Sequence, residues 1–498
     1  MENITIFQFF HWYYSTEGNL WQHAVDQAAH LASLGISYVW LPPAYKSAYG
    51  TFDPGYAVYD LYDLGEFDQK GTLRTRFGTK EEYLAAINAL HKNHIQVLAD
   101  IVLNHKHGAD ETEKVPVIQV DSEDRTKTIG EKKELDIWTK FTFPGRNKKY
   151  SEYNWDWHSF SGIDGGGDKR EVIYKILNEY GEDWEPLIEE EKGNFDYLNG
   201  ADIEFRNLNV RQELKWWGKW YVETTGIDGF RLDAIKHINP EFYKDWLDYM
   251  REHFQKNFLC IGEYWRREVD PLLKYIEVTG ERTQLVDVPL HYNFHLASKA
   301  GNNYDMRKIF DNSLLQHKPL LSVTFVDNHD TQPLQALELE VAYWFKPLAY
   351  ALILLREQGI PCVFYPAIYG AKYSDSPHGE ELHVELNSVP GLPAMMKTRR
   401  HLSYGIQRDY LDHSNTIGWT REGIKEKRFS GCAVLLTNGS AGDKTMEVGK
   451  RNAGKTYVDI CGGRTEKVII DKNGLGKFLV NDATVSVWIR EEALKYIK

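Results

Sequence analysis

Four short segments of this 498-residue chain end apolar runs in carboxylates, histidines or amides. They are Asp100-Ile101-Val102-Leu103-Asn104-His105, Gly229-Phe230-Arg231-Leu232-Asp233-Ala234, Ile261-Gly262-Glu263-Tyr264-Trp265 and Phe325-Val326-Asp327-Asn328-His329-Asp330. Carboxyl groups of this kind attack electrophilic carbon when bare and donate protons when their surroundings keep them neutral. Arg231 stands two residues before Asp233. Side chains at i and i+2 share one face of a strand, so its guanidinium is placed to keep that carboxyl ionised. Taken singly, each Asp or His is most simply a satisfied polar group at a strand end; four such segments in one chain ask for a common site.

Bringing them together needs a frame. Short apolar runs at Ile4–Phe10, Tyr38–Leu41, Val97–Val102, Gly229–Leu232, Phe258–Gly262, Leu285–Val288, Ser322–Val326 and Cys362–Tyr365 read as strands covered on both faces. Amphipathic stretches such as Ala24–Leu34, Lys80–His91, Val210–Thr224, Pro240–Lys256 and Tyr343–Glu357 read as helices between them. Strand and helix repeating eight times predict a (β/α)8 TIM barrel over residues 1–103 and 208–397. Such barrels carry their sites on the rim formed by the C-terminal ends of the strands, where all four segments fall. The stretch 104–207, rich in Asp, Glu, Gly, Trp and Lys, is too long for a loop and reads as an inserted β-rich domain. From 398 to 498 short strand-like pieces separated by Gly and Asn turns predict an antiparallel β-sandwich.

Composition narrows the class. The net charge of −13 comes with no basic stripe, which argues against nucleic acid. No run approaches the roughly 18 apolar residues of a membrane span. Cys260, Cys362, Cys432 and Cys461 form no CxxC pair and read as buried hydrophobes. The opening Met1-Glu2-Asn3-Ile4-Thr5-Ile6 lacks a basic segment followed by an apolar stretch and cleavage site, so cytoplasm is the expectation, secretion the alternative if a leader has been removed. A monomer is expected. The 15 Trp, 30 Tyr and 22 Phe fill cores, and such rings also stack on sugars.

The four segments, in this order, resemble the four conserved regions of the α-amylase family. The stretches GFRLDAIKHI from Gly229, YDLYDLGEF from Tyr59 and TFVDNHDTQP from Thr324 are similar to its bacterial liquefying subgroup. The resemblance runs from Phe7 to about Arg490. It implies endo-hydrolysis of α-1,4-glucosidic bonds in starch, glycogen or maltodextrins with retained configuration. That chemistry takes two carboxyl groups about 5–5.5 Å apart across the scissile bond. By resemblance Asp233 attacks, Glu263 donates the proton and needs a raised pKa, and Asp330 grips sugar hydroxyls. Arg231, braced by Asp100, and His105 and His329 are implied sugar-site residues; Tyr56 is expected to stack on the sugar, and Trp12, Lys236, His237 and Trp265 are expected subsite contacts.

The resemblance also implies one Ca2+ at the junction of barrel and inserted domain, held by Asn104, Asp183, Asp196, Asp202 and the carbonyl of His237, oxygen ligands suited to a hard cation. Ser161 and Arg206 stand where relatives place further metal-binding carboxylates, so the additional calcium and sodium cluster is expected to be absent or reduced to one ion; Asn415 and Asn438 stand where a later calcium would need acids, which argues against that site. Pro366-Ala367 replaces a usual Gly-Asp. Two alternatives remain: a maltooligosaccharide-forming amylase or α-glucan transglycosylase, separable by product analysis, and a non-catalytic glucan-binding protein. The last should have lost one of Asp233, Glu263 and Asp330, and all three are present.

Overall fold

The computed structural model describes residues 3–165, 171–188, 190–377 and 379–497. Eight parallel strands close a barrel: β1 Ile6–Gln8, β2 Tyr38–Leu41, β3 Gln96–Ile101, β4 Gly229–Leu232, β5 Leu259–Gly262, β6 Gln284–Val286, β7 Ser322–Phe325 and β8 Ile360–Phe364. Each pairs with its sequence neighbours, and β8 closes on β1 with Cys362 opposite Ile6. All eight expected strands are present; Tyr38–Leu41 and Gly229–Leu232 keep their expected ends, and no other end moves by more than two residues. The central ones are buried on both faces because helices cover the outside.

The helices start where local chemistry permits. Lys80–Lys92 opens on a capping box, in which the Thr79 side chain accepts from the Glu82 N–H while the Glu82 carboxylate accepts from the Thr79 N–H. Leu208–Thr225 is capped by Asn207 and ends at Gly226, whose φ of 71° suits glycine. Pro240–Phe254 begins with proline behind an Asn239 cap. The expected helix Tyr343–Glu357 divides into a single 3-10 turn, Tyr343–Phe345, and a helix over Lys346–Leu354.

Between β3 and β4 lies a six-stranded sheet in the order His105–Lys106, Ala201–Ile203, Phe160–Asp164, Ile173–Ile176, Glu111–Val120 and Thr128–Lys140. Val120, Ile173, Trp184 and Tyr197 form a small core beneath it. After the barrel, the helix Leu392–His401 buries Leu392, Met395 and Met396. A second six-stranded sheet follows, in the order Gln407–Tyr410, Thr416–Arg421, Cys432–Thr437, Val485–Arg490, Thr456–Asp459 and Val468–Ile469. The pair Gly442–Glu447 and Leu475–Val480 packs against it through Met446, Phe478 and Val480. Three of these strands, Gln407–Tyr410, Gly442–Glu447 and Leu475–Val480, were not expected from sequence. Their alternating polar residues face solvent and blur any apolar run.

The sandwich is tied to the barrel by Arg356, whose Nη atoms donate to both Asp409 oxygens at 2.7 and 3.0 Å, and by an amide clasp. In the clasp Asn438 Nδ2 donates to the carbonyls of Gly301 and Tyr304 at 2.8 and 2.9 Å, and Asn415 Nδ2 donates to Asn302 O and Asn438 Oδ1. After β8, Tyr365–Tyr369 forms a single helical turn with Pro366 in its first turn, and Tyr365 and Tyr369 pack on Phe7 and Phe9. All four cysteines are free; burial pushes the thiols of Cys260 and Cys362 up to about 12.

Candidate active site

Strand register builds the site. In the β3–β4 pair Arg231 lies opposite Asp100, and in the β4–β5 pair Leu232 lies opposite Gly262. Asp233 and Glu263 therefore follow one step beyond the same rung. The ladder continues under them, with Asp233 N–H donating to Ile101 O and Glu263 N–H to Leu232 O, both at 2.9 Å. Gly262 leaves room for its neighbours here: a Cβ would lie 2.4 Å from Ile235 Cδ1 and 3.0 Å from Leu285 Cδ2, and these side chains would have to shift. Ala234 turns the chain sharply with φ of 49°, a left-handed conformation costly for a residue with a Cβ. That turn points its N–H at Glu263 Oε2, 3.1 Å away.

One guanidinium organises the carboxylates. Arg231 Nη1 donates to Asp100 Oδ1 at 2.9 Å and to Asp233 Oδ1 at 2.5 Å, while Nη2 lies 2.7 Å from Glu263 Oε2. Asp233 and Glu263 are thus held by two arms of the same fork. Asp100, fully buried, also accepts from Trp40 Nε1 at 3.0 Å and Tyr56 Oη at 2.8 Å. Asp330 is aimed by a turn in which Asn328 Oδ1 accepts from the N–H groups of Asp330 and Thr331.

The electrostatics modify the expectation for Asp233. Burial, opposed by Arg231 but reinforced by Glu263 and Asp100, pushes its carboxyl up to about 8. Burial and then Glu263 raise Asp330 well above the usual carboxylate range. Asp100 is raised by burial as well, so the Asp100, Asp233 and Asp330 carboxyls around one guanidinium do not all ionise cheaply away from water. Arg231 opposes the rise at Asp233 without cancelling it.

The rim opens into a cleft of about 1580 Å³ between barrel and inserted sheet. Trp12, Tyr56, His105, Asp233, Lys236, His237, Glu263, Trp265 and Asp330 line it; Arg231 and His329 lie beneath the floor. Trp12, Tyr56 and His329 are nearly parallel, stacked rings, with Trp12 10° from Tyr56 at 5.5 Å between centroids. Three expected sugar contacts are engaged within the protein. His105 Nε2 bonds Tyr56 O at 2.9 Å and its Nδ1 lies 3.3 Å from Asn104 Nδ2, so it braces Tyr56. Lys236 Nζ is paired with Glu191 at 2.7 Å, and His237 Nδ1 is bonded to Phe195 O at 2.6 Å. Both tie the inserted segment to the rim.

The expected cation ligands converge in part. Asn104 Oδ1 is buried without a partner among the described residues, while its Nδ2 donates to Asp202 Oδ1 at 3.2 Å. Asp196 and Asp202 are buried; desolvation, then Asp202, raises Asp196 well above its ordinary range. An orphan amide oxygen among buried carboxylates is chemistry that fits a hard cation. Asp183 does not join them. Trp184 anchors its segment in the small core, which turns Asp183 to solvent, with its carbonyl accepting from Arg206 Nη1 at 2.9 Å. The acid brought inward is Glu185, whose N–H donates to Asp196 Oδ2 at 3.2 Å and whose carboxyl accepts from Phe205 N–H. Arg206 clamps the buried Glu204 with Nε and Nη2 at 2.7 and 2.6 Å, and Ser161 Oγ donates to Asp202 Oδ2 at 2.6 Å. Among the described residues no three His, Cys, Asp or Glu side chains form a ready cage. Any cation site here depends on the Asn104 amide and on main-chain oxygen.

Sequence reasoning missed Glu185, Glu204, Ala234 and Gln8. Only the acidic pair carried any signal, as carboxylates two residues from Asp183 and Asp202.

A family model described as the α-amylase catalytic domain matches residues 16–373, and one for the α-amylase C-terminal domain matches 432–489. The chain belongs to the α-amylase family. It is a glycoside hydrolase by that membership. It is 47% identical to the cytoplasmic alpha-amylase of Escherichia coli K12 over 99% of this chain and all of that one. It is 48% identical to the alpha-amylase of Geobacillus stearothermophilus over 98% of this chain and 87% of that one. Identity is 44% to the glucan 1,4-alpha-maltohexaosidase of Bacillus sp. strain 707, over 98% and 93%. Among solved structures, a Geobacillus thermoleovorans α-amylase complexed with acarbose shares the fold with a TM-score of 0.65, 17% identity and 98% coverage of both chains. No helix among the described residues is long and apolar enough to cross a membrane.

Proposed function

We propose that this α-amylase-family hydrolase cuts internal α-1,4-glucosidic bonds of starch, glycogen or maltodextrin with retention, Asp233 attacking the anomeric carbon and Glu263 protonating the leaving oxygen. The observation that carries this reading is the pair of carboxyls on two arms of Arg231, at the floor of a cleft of about 1580 Å³. Retention needs the pair to carry a single proton. When a sugar oxygen approaches Glu263 and positive charge builds on the anomeric carbon, that proton belongs on Glu263 and Asp233 becomes the bare anion. Asp330 faces the same charge. Trp12 and Tyr56 offer flat faces to the ring, and Arg231, His329 and His105 hold these groups in place. Lys236, His237 and Trp265 shape the far side of the cleft.

Proton NMR of the first product from a maltooligosaccharide tests the mechanism: the α-anomer is expected, and initial release of β-anomer would overturn it. Asp233→Asn and Glu263→Gln should each lower turnover by roughly 10³-fold or more. The relative named a maltohexaosidase favours a second reading, release of maltooligosaccharides of set length. Product lengths from an end-labelled substrate separate the two, and longer-than-substrate products would reveal transglycosylation.

Residues 104–207 are proposed as the inserted calcium-binding unit, with 1–103 and 208–397 as the barrel and 398–498 as the sandwich. One Ca2+ is proposed at Asn104, Asp196, Asp202 and the His237 carbonyl, where it would neutralise the buried carboxylates. A cytoplasmic location is proposed on the E. coli relative's printed name, to be checked by cell fractionation, and the monomer expected from sequence is checked by light scattering.

A further inference from the structure

His329 sits in an aromatic box. Phe10 lies 5.1 Å from its ring centroid, Tyr56 stacks at 5.2 Å and 12°, Trp12 at 6.1 Å and 10°, and Trp40 meets it edge-on at 5.6 Å. These contacts set the plane of the imidazole. They do not set which edge faces which way, because half a turn about the ring axis leaves the plane unchanged. Burial, then the charge of Arg231, holds the ring well below its usual pKa, so it is neutral and owns a single N–H. Two polar groups meet its two nitrogens. Gln8 Nε2 lies 3.0 Å from Nδ1, and Asp330 Oδ2 lies 3.3 Å from Nε2. Gln8 projects from β1, is 1% exposed, and its own Oε1 has no partner among the described residues.

We propose that Gln8 is a positioning residue that donates its amide N–H to Nδ1 and so holds His329 as the Nε2–H tautomer, its proton aimed at Asp330 and the sugar beside it. The opposite tautomer would present a nitrogen lone pair to Asp330. That repels the carboxylate at the moment the developing positive charge of the sugar calls for it to be ionised. The inference rests on the glycosidase reading above and adds a control to it: β1 governs the hydrogen-bonding polarity of a residue on the loop after β7.

The test is nitrogen NMR of the full chain labelled with 15N-histidine, the His329 signals assigned by their loss in His329→Gln. The expected spectrum shows His329 protonated on Nε2 and bare on Nδ1. A proton on Nδ1 in the parent protein overturns the proposal without any variant. Gln8→Glu then supplies the converse, since a carboxylate only accepts and forces the proton onto Nδ1. It should switch the tautomer and lower kcat by about 10²-fold with KM little changed. A switched tautomer with full kcat, or an unswitched one, counts against the proposal. The glycosidase reading is judged separately, by Asp233→Asn.

Discussion

At the level of single side chains, the cluster around Arg231 couples catalysis to stability. Asp233 is pushed from 3.8 to about 8, mainly by burial. The native state therefore binds its proton more tightly than the unfolded chain does. Stability from this group is fully present below about pH 4 and is lost as pH rises toward 8. Asp233→Asn removes that loss. The variant should be inactive yet melt higher than the parent at pH 8, with the difference shrinking toward pH 5; calorimetry at several pH values checks it. An equal gap at all pH values would show that Asp233 does not carry the shift. Arg231→Lys tests the fork. A single ammonium cannot reach Asp100, Asp233 and Glu263 in the same geometry, and leaving buried carboxylates unpaired costs roughly 3–5 kcal/mol. A variant of unchanged stability would mean the fork is not needed.

Elements place these groups, and here the limits of sequence reading are visible. The four rim segments were legible because each is a local apolar run ending in polar letters. What was not legible is the rung Leu232–Gly262, since pairing between strands 30 residues apart is decided by barrel closure. The left-handed turn at Ala234 was equally hidden, because nothing in an alanine announces it. Glu185 replaced Asp183 in the acidic cluster because Trp184 chooses which neighbour faces inward, and that choice belongs to the small core of the inserted sheet. Gly262 offers the test at this scale. Gly262→Ala would force its Cβ onto Ile235, costing about 1–3 kcal/mol and displacing Glu263. Adding Ile235→Val should recover part of both stability and turnover, as measured by denaturant midpoints and initial rates. No recovery would place the clash elsewhere.

Across the whole molecule, the two bodies attached to the barrel are fastened by different chemistry. The inserted sheet meets the rim through Asn104, Asp196 and Asp202, with Arg206 clamped onto Glu204 and Arg125 acting on Asp202 as fixed cations nearby. Exhaustive dialysis against trace calcium should leave one ion per chain by elemental analysis, and a chelator should lower Tm; two or more retained ions would contradict the part assigned to Arg206. The sandwich, by contrast, is clasped by Asn415 and Asn438, whose N–H groups already fill the carbonyls of Gly301, Asn302 and Tyr304. A side-chain amide cannot be washed away. Softening of this enzyme in ion-poor water should therefore be lopsided: deuterium should enter the sheet above the cleft quickly, while the far lobe keeps its grip and melts only with the barrel itself.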